Sequence, residues 1–276
     1  MFTLNSKERI LSASKPLVMG IINATPDSFY QSSRVSNESD FTSKIDEMIL
    51  EGADIIDIGG QSSRPGAIEV SVEEEISRVL GPIEYIAAHY PDKWMSIDTT
   101  RSEVAQLAIS AGAHIVNDIS GGNQDQEMLS TVAELDVPFI CTHMQGTPAN
   151  MQNSPTYTNV VNEVFGYFQE KIKACNEVGI KSLILDPGFG FGKTIAHNYK
   201  MIRHLQKFNE LGFPILVGVS RKSMIYKQLE ITADEALNGT TVLNTYALLH
   251  GASIIRVHDV KEANQAVALI NTIMRA

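Results

Sequence analysis

Cysteine and tryptophan are almost absent from the 276 residues: Cys141 and Cys175 are the two cysteines and Trp94 the one tryptophan. The cysteines form no Cys-x-x-Cys pair, which excludes a disulfide framework or a zinc ribbon and fits a reducing cytoplasmic compartment. Positive charge is also short. Lys and Arg number 22 against 32 Asp and Glu, a net charge of −10, whereas a nucleic-acid binder normally presents a basic surface. An anionic ligand must then be held by a local cluster of Arg and Lys working against the overall field. Long apolar runs are missing as well. The run from Leu17 to Ile22 stops at Asn23, well short of the roughly 20 residues a membrane helix needs and too late for a signal peptide. The seven histidines are scattered without a His-x-His pair, so a metal-dependent hydrolase has little support. No nucleophile elbow or Ser-His-Asp arrangement is visible either.

What is present is a repeating alternation. Short apolar, β-branched runs recur as LVMGIIN from Leu17, ADIIDIGG from Ala53, WMSIDT from Trp94, HIVNDIS from His114, PFICTHM from Pro138, SLILDPG from Ser182, PILVGVS from Pro214 and SIIRVH from Ser253. Consecutive rather than alternating apolar positions suit strands buried on both faces of a parallel sheet. Amphipathic helices lie between them: Phe41, Ile45, Met48 and Ile49 share one face, and Val164, Phe165, Phe168 and Ile172 another. Ser71 with Glu74, and Thr100 with Glu103, have capping-box spacing. Gly52, Gly112 and Gly179 stand where left-handed C-terminal caps are expected. Eight strand–helix units predict an α/β fold, a single-domain (β/α)8 TIM barrel over residues 1–276, with a doubly wound open sheet as the lesser alternative. Two polar, Ser-rich segments, Ala24 to Asn37 and Gln61 to Val70, are expected as long mobile loops that fold over the C-terminal mouth.

Nearly every run ends in polar residues: Asn23, Gly59 and Gly60, Asp98, Asn117, His143, Asp186, Ser220, and Arg256 with His258. In a parallel barrel these ends converge on one mouth, where barrel enzymes keep their chemistry. Contact with solvent explains any one of them, but not acids, amides and cations alternating around a single rim. Asp98, Asn117 and Asp186 offer carboxylates that accept paired N–H bonds and an amide that donates and accepts, a set suited to a flat, nitrogen-rich heterocycle. Arg64, Arg256 and His258 supply donors for phosphate oxygens. His258 adjoins Asp259, expected to orient its ring, and the last helix begins there with its positive end. Asn23 offers an amide oxygen to a hard cation that takes its other ligands from phosphate and water. In VSRKS, Lys222 is placed to reach the cleft, and Ser223 lies where free backbone N–H groups at a helix start can hold a carboxylate. DPGFGFGK sets Phe189 and Phe191 among glycines as an aromatic wall. Trp94 reads as core.

Taken in order, MGIINATPDSF, IIDIGGQSSRPGA, SIDTTR, VNDISGG, HMQGTP, LDPGFGFGK, VGVSRKS and IIRVHDV resemble the dihydropteroate synthases of the folate pathway across essentially the whole chain. The resemblance implies a (β/α)8 barrel, a homodimer, and a magnesium-assisted transferase. Such an enzyme joins 6-hydroxymethyl-7,8-dihydropterin pyrophosphate to 4-aminobenzoate and releases pyrophosphate. It implies Asn23 as the magnesium contact, and Asp98, Asn117, Met144, Asp186 and Lys222 as the pterin pocket, with Lys222, Asp98 and Asp186 closest to the chemistry. Asn23, Ser63, Arg64, Arg256 and His258 correspond to the pyrophosphate site. Ser63, Arg64, Pro65, Phe191, Lys222 and Ser223 correspond to the aminobenzoate site, where sulfonamides would compete. The chain departs from the family at Tyr30-Gln31-Ser32-Ser33-Arg34, where Ser-Asp-Gly-Gly commonly follows the Phe, and at Gln61 and Ser63, where Glu and Thr are common; Asp27 is kept. A pterin-dependent methyltransferase barrel is the alternative reading.

Overall fold

The computed structural model describes residues 2–7, 9–24, 37–61, 70–148 and 150–276, with the side chains of 37–40 left out. Eight parallel strands form one sheet: β3 (Leu17–Asn23), β4 (Ile55–Gly59), β5 (Trp94–Asp98), β6 (Ile115–Asp118), β7 (Phe139–Thr142), β8 (Leu183–Asp186), β9 (Leu216–Val217) and β10 (Ile254–Val257). Their order is β8-β7-β6-β5-β4-β3-β10-β9, and a parallel bridge from Leu185 to Ile215 joins the two ends. The sheet is thus a closed (β/α)8 barrel rather than the open alternative.

The helices follow the strands around the outside. They are α1 (Asn37–Leu50), α2 (Val72–His89), α3 (Ser102–Ala111), α4 (Met128–Leu135), α5 (Val160–Val178), α6 (Ile195–Arg203), α7 (Ser223–Leu229), α8 (Leu237–Leu249) and α9 (Val260–Ile273). Phe41, Ile45 and Met48 of α1 and Val164 and Phe168 of α5 are buried against the barrel, as their spacing predicts. Ser71 caps α2 by accepting from the Glu74 N–H. The same spacing fails at Thr100. Helix α3 starts two residues later, at Ser102, and the free Ser102 N–H donates to the distant Asp125 carboxylate instead. Gly52, Gly112 and Gly179 do take positive φ at helix ends.

Two features are invisible in the apolar pattern. The run from Pro214 to Ser220 yields a ladder of only two residues, Leu216 and Val217, and the chain turns at Ser220 and Arg221. A hairpin, β1 (Phe2–Ser6) and β2 (Arg9–Ala13), precedes the barrel, with Leu4 and Ala13 buried against Leu17 and Trp94. Arg9 lies over the Trp94 ring and donates to the Pro91 carbonyl. The hairpin therefore stops the end of the barrel opposite the mouth.

Because side chains alternate across a strand, one parity of each strand faces the barrel interior and the other the helices. Leu17, Met19, Ile55, Trp94, Ile115, Ile140, Ile184, Leu216 and Ile254 form one inner apolar layer, separate from the outer core that packs the helices. Two residues further along the same inward parity come Asp57, Ser96, Asn117, Thr142, Asp186, Gly218 and Arg256, with Ile21 of β3 the apolar exception. The interior therefore changes from apolar to polar within one layer, and that second layer is the floor of the mouth.

Candidate active site

Arg256 organises the floor. Its Nε donates to Asp57 Oδ2 and its Nη2 to Asp98 Oδ2, each at 2.6 Å. Asp57 is fully buried and also accepts from the Asn117 side-chain amide at 3.2 Å. Burial raises the Asp98 carboxyl to about 7, against the pull of Arg256 and with the nearby Asp57 charge adding to the rise. Burial opposes charge on Arg256, but the Asp57 and Asp98 carboxylates outweigh it and hold the guanidinium more firmly protonated than usual. Two acids thus share one cation.

Lys222 and Asp186 act on each other's charge through space, without a direct ion pair between them. Burial pushes the Lys222 amine down to about 8 while Asp186 pulls it back up. Burial raises the Asp186 carboxyl, countered by Lys222 and by the Gly188 N–H that donates to it at 2.8 Å. The Lys222 ammonium donates to the Phe189 carbonyl and stands over the Phe191 ring, 4.6 Å from its centre. Phe191 packs with Met144, Ile119 and Met151 in a small apolar cluster of its own. Phe189 belongs to the outer core instead and is fully buried. The expected aromatic wall is therefore Phe191 alone, because the chain turns between the two rings at Gly190, which takes a positive φ.

Along the rim, Asn23 is half-buried at the end of β3, in register with Gly59 and through it with Asp98. Ser223 opens α7, half-buried. His258 differs from expectation in two ways. Its Nδ1 lies 3.0 Å from Ser220 Oγ, whereas Asp259 is gripped through both oxygens by Arg221, at 2.7 and 2.9 Å. Ser220, not Asp259, orients the ring. Burial, reinforced by the Arg256 charge, lowers the imidazole to about 4, so it meets a ligand as a neutral hydrogen-bonding group rather than a cation. Ser63, Arg64 and Pro65, together with Asp27 and Tyr30 to Arg34, lie outside the described residues.

Two residues at the site escape a reading of strand ends. Asp57 sits mid-strand in ADIIDIGG, and only its parity with Gly59 and with inward-facing Ile55 marks it as a floor residue. Lys193, just 3% exposed, donates to the carbonyls of His143, Gly188 and Phe191 at 3.2, 2.9 and 3.0 Å, and its Nζ lies 2.9 Å from His143 Nδ1. Burial and the Lys193 charge together push the His143 imidazole down to about 2. Asn198 accepts from the Gly190 N–H and donates to the Lys193 carbonyl. The loop that carries Phe191 and faces Lys222 is thus bolted to β7 and α6. Its glycines are obligatory: a Cβ on Gly188 would lie 2.0 Å from the His143 carbonyl oxygen, and one on Gly192 2.4 Å from that of Gln145.

The site therefore offers acids and an amide deep in a pocket, a lysine against an aromatic ring above them, and arginine beside them. Residues 19–258 match the family model described as pterin binding enzyme. The dihydropteroate synthase of Escherichia coli K12 is 44% identical over 96% of this chain and 94% of its own. The chain belongs to the dihydropteroate synthases. Its structure follows other members just as closely. A Yersinia pestis dihydropteroate synthase solved with a sulfonamide drug superposes with a TM-score of 0.94 at 40% identity, covering all of both chains. A Xanthomonas albilineans dihydropteroate synthase in complex with 7,8-dihydropteroate gives 0.90 at 35%, covering 99% of each. Dihydropteroate synthases make a precursor of folate, and the transferase class read from the motifs stands.

Proposed function

We propose that the mouth binds 6-hydroxymethyl-7,8-dihydropterin pyrophosphate on Asp98, Asn117, Met144, Asp186 and Lys222, and joins it to 4-aminobenzoate with loss of pyrophosphate. The observation that carries the reading is the pairing of the Lys222 ammonium with the Phe191 ring, 4.6 Å from its centre. That pairing sets a cation where a heterocycle above the acids and an aromatic amine against Phe191 would meet. Ser223 and the opening N–H groups of its helix suit the aminobenzoate carboxylate; Ser63, Arg64 and Pro65 are assigned there by family likeness alone. Arg256, Arg64 and Asn23 would face the pyrophosphate, with His258 donating a hydrogen bond.

In the reaction the methylene C–O bond breaks and its electron pair leaves on the pyrophosphate oxygen. The aromatic amine then forms the new C–N bond and releases its proton to solvent. The electron-rich pterin carries the positive charge left on the methylene, and Asp98 and Asp186 stabilise it. An aniline-type amine needs no strong base, so holding it against Phe191 supplies much of the rate. No three-residue cluster of His, Cys, Asp or Glu fit for a metal occurs among the described residues. Asn23, one hard oxygen donor, suits magnesium bound chiefly by phosphate and water, where it would neutralise the leaving group.

The dihydropteroate synthase relatives named above do not favour the pterin-dependent methyltransferase alternative. A homodimer is proposed through α8 and α9, which leave Val242, Leu249, Leu269 and Ile273 between 45% and 66% exposed. A cytoplasmic location is proposed on two grounds: Cys141 and Cys175 are both free and buried, and no described helix is long and apolar enough to cross a membrane. The deciding experiment mixes purified protein with the pterin pyrophosphate and 4-aminobenzoate, with and without magnesium, and follows pyrophosphate release. Release that depends on the amine is expected, and Lys222→Ala should abolish it. Wild-type release by that variant would overturn the assignment.

A further inference from the structure

Asp57 is a floor residue with no exposed surface of its own, yet two groups facing the mouth depend on it. It is fully buried on β4, takes the Arg256 Nε at 2.6 Å and faces the Asn117 amide at 3.2 and 3.4 Å. A carboxylate only accepts hydrogen bonds, so the end of the Asn117 amide turned toward it must be the NH2 group. The Asn117 oxygen is thereby turned the other way.

We propose that Asp57 is a positioning residue that sets the polarity of Asn117, so that the pocket presents an acceptor and selects a heterocycle bearing an N–H at that edge. The inference rests on the pterin-pocket reading of Asn117 given above. Replacing Asp57 by Asn supplies one acceptor and one donor in place of two acceptors. The charged Arg256 donor keeps Oδ2, so the new NH2 takes the place of Oδ1, 3.4 Å from the Asn117 NH2, and this donor set against a donor turns the Asn117 amide over. The pocket then shows a donor where it showed an acceptor.

The test is calorimetric binding of 6-hydroxymethylpterin. Asp57→Asn should weaken binding about tenfold, the worth of one lost hydrogen bond to a desolvated partner. The double variant Asp57→Asn with Asn117→Asp should recover most of that loss. In it, the carboxylate introduced on β6 accepts from the amide introduced on β4 with one oxygen and offers the other to the mouth. Wild-type affinity in Asp57→Asn overturns the proposal, as does a double variant no tighter than the single, which would mark Asp57 as merely structural. Asn117→Ala separates the two readings: if it binds as wild type, the pocket assignment itself fails. Should Asp57→Asn not fold, Asn117→Asp alone tests the same geometry. Two carboxylates face to face must share a proton, so pterin binding should fall as pH rises and that proton is lost. Binding unmoved by pH in that variant overturns the proposal.

Discussion

Asp98 and Lys222 titrate close to neutrality for opposite reasons of charge and one common reason of burial. A buried carboxyl resists ionising and a buried amine resists protonating, so the first rises to about 7 and the second falls to about 8. In the free enzyme kcat/KM should therefore fall below about pH 7, as Asp98 takes up a proton, and above about pH 8, as Lys222 loses one. A pH–rate profile checks both limbs, and pterin binding by Asp98→Asn should lose the acid limb. For stability the acid carries the opposite sign: between its ordinary value and about 7 the folded form holds a proton the unfolded form lacks. Asp98 thus lowers stability as pH rises through that window. Arg256→Ala carries a further consequence. It strands Asp57 and Asp98 without a cation, and breaking a buried pair from one side costs about 3–5 kcal/mol. A fall of that size in chemical denaturation should accompany the lost turnover.

At the level of elements, the loop after β8 owes its shape to one lysine and two glycines. Lys193→Met should leave the His143 and Phe191 carbonyls without a donor, Gly188 keeping the Phe191 N–H, at about 1–3 kcal/mol for each buried group that finds no water. The predicted result is a destabilised protein whose KM for aminobenzoate rises more than its KM for the pterin pyrophosphate, since Phe191 is displaced while Asp98 and Asn117 are not. Steady-state kinetics with each substrate varied in turn, alongside a denaturant titration, checks this; equal changes in both KM values would contradict it. The strands and helices that hold the loop were legible beforehand from apolar runs and amphipathic faces. The loop's fastening was not, because a lysine after a glycine-rich stretch reads the same whether it meets solvent or a cage of carbonyls.

For the whole molecule, the outward faces of α8 and α9 matter most. Leu269 is 66% exposed and Ile273 62%, beside Val242 on the neighbouring helix. Apolar area of this kind is stabilised when a second copy covers it. Leu269→Asp with Ile273→Asp should give a monomer by light scattering, where the unaltered chain gives twice that mass. A monomeric unaltered chain would remove the dimer. The opposite end of the barrel shows a division of labour. The hairpin of β1 and β2 covers the inner apolar layer with Leu4 and Ala13 and lies remote from the charged floor, so it contributes to stability and not to chemistry.

The order of apolar runs and helical faces determined eight parallel strands with helices between them, because strands buried on both sides must be apolar on both parities; that the sheet closes into a barrel was decided by the tertiary structure, in the bridge from Leu185 to Ile215. The same order, together with the motifs, determined which rim residues to consider: Asn23, Asp98, Asn117, Asp186, Lys222 and Arg256. Only the tertiary structure decided how they pair. Arg256 joins Asp57 and Asp98 across 199 and 158 residues of chain, and His258 turns to Ser220 while Arg221 takes Asp259. Those choices rest on distances that the closing of the barrel creates, and no local spacing carries them.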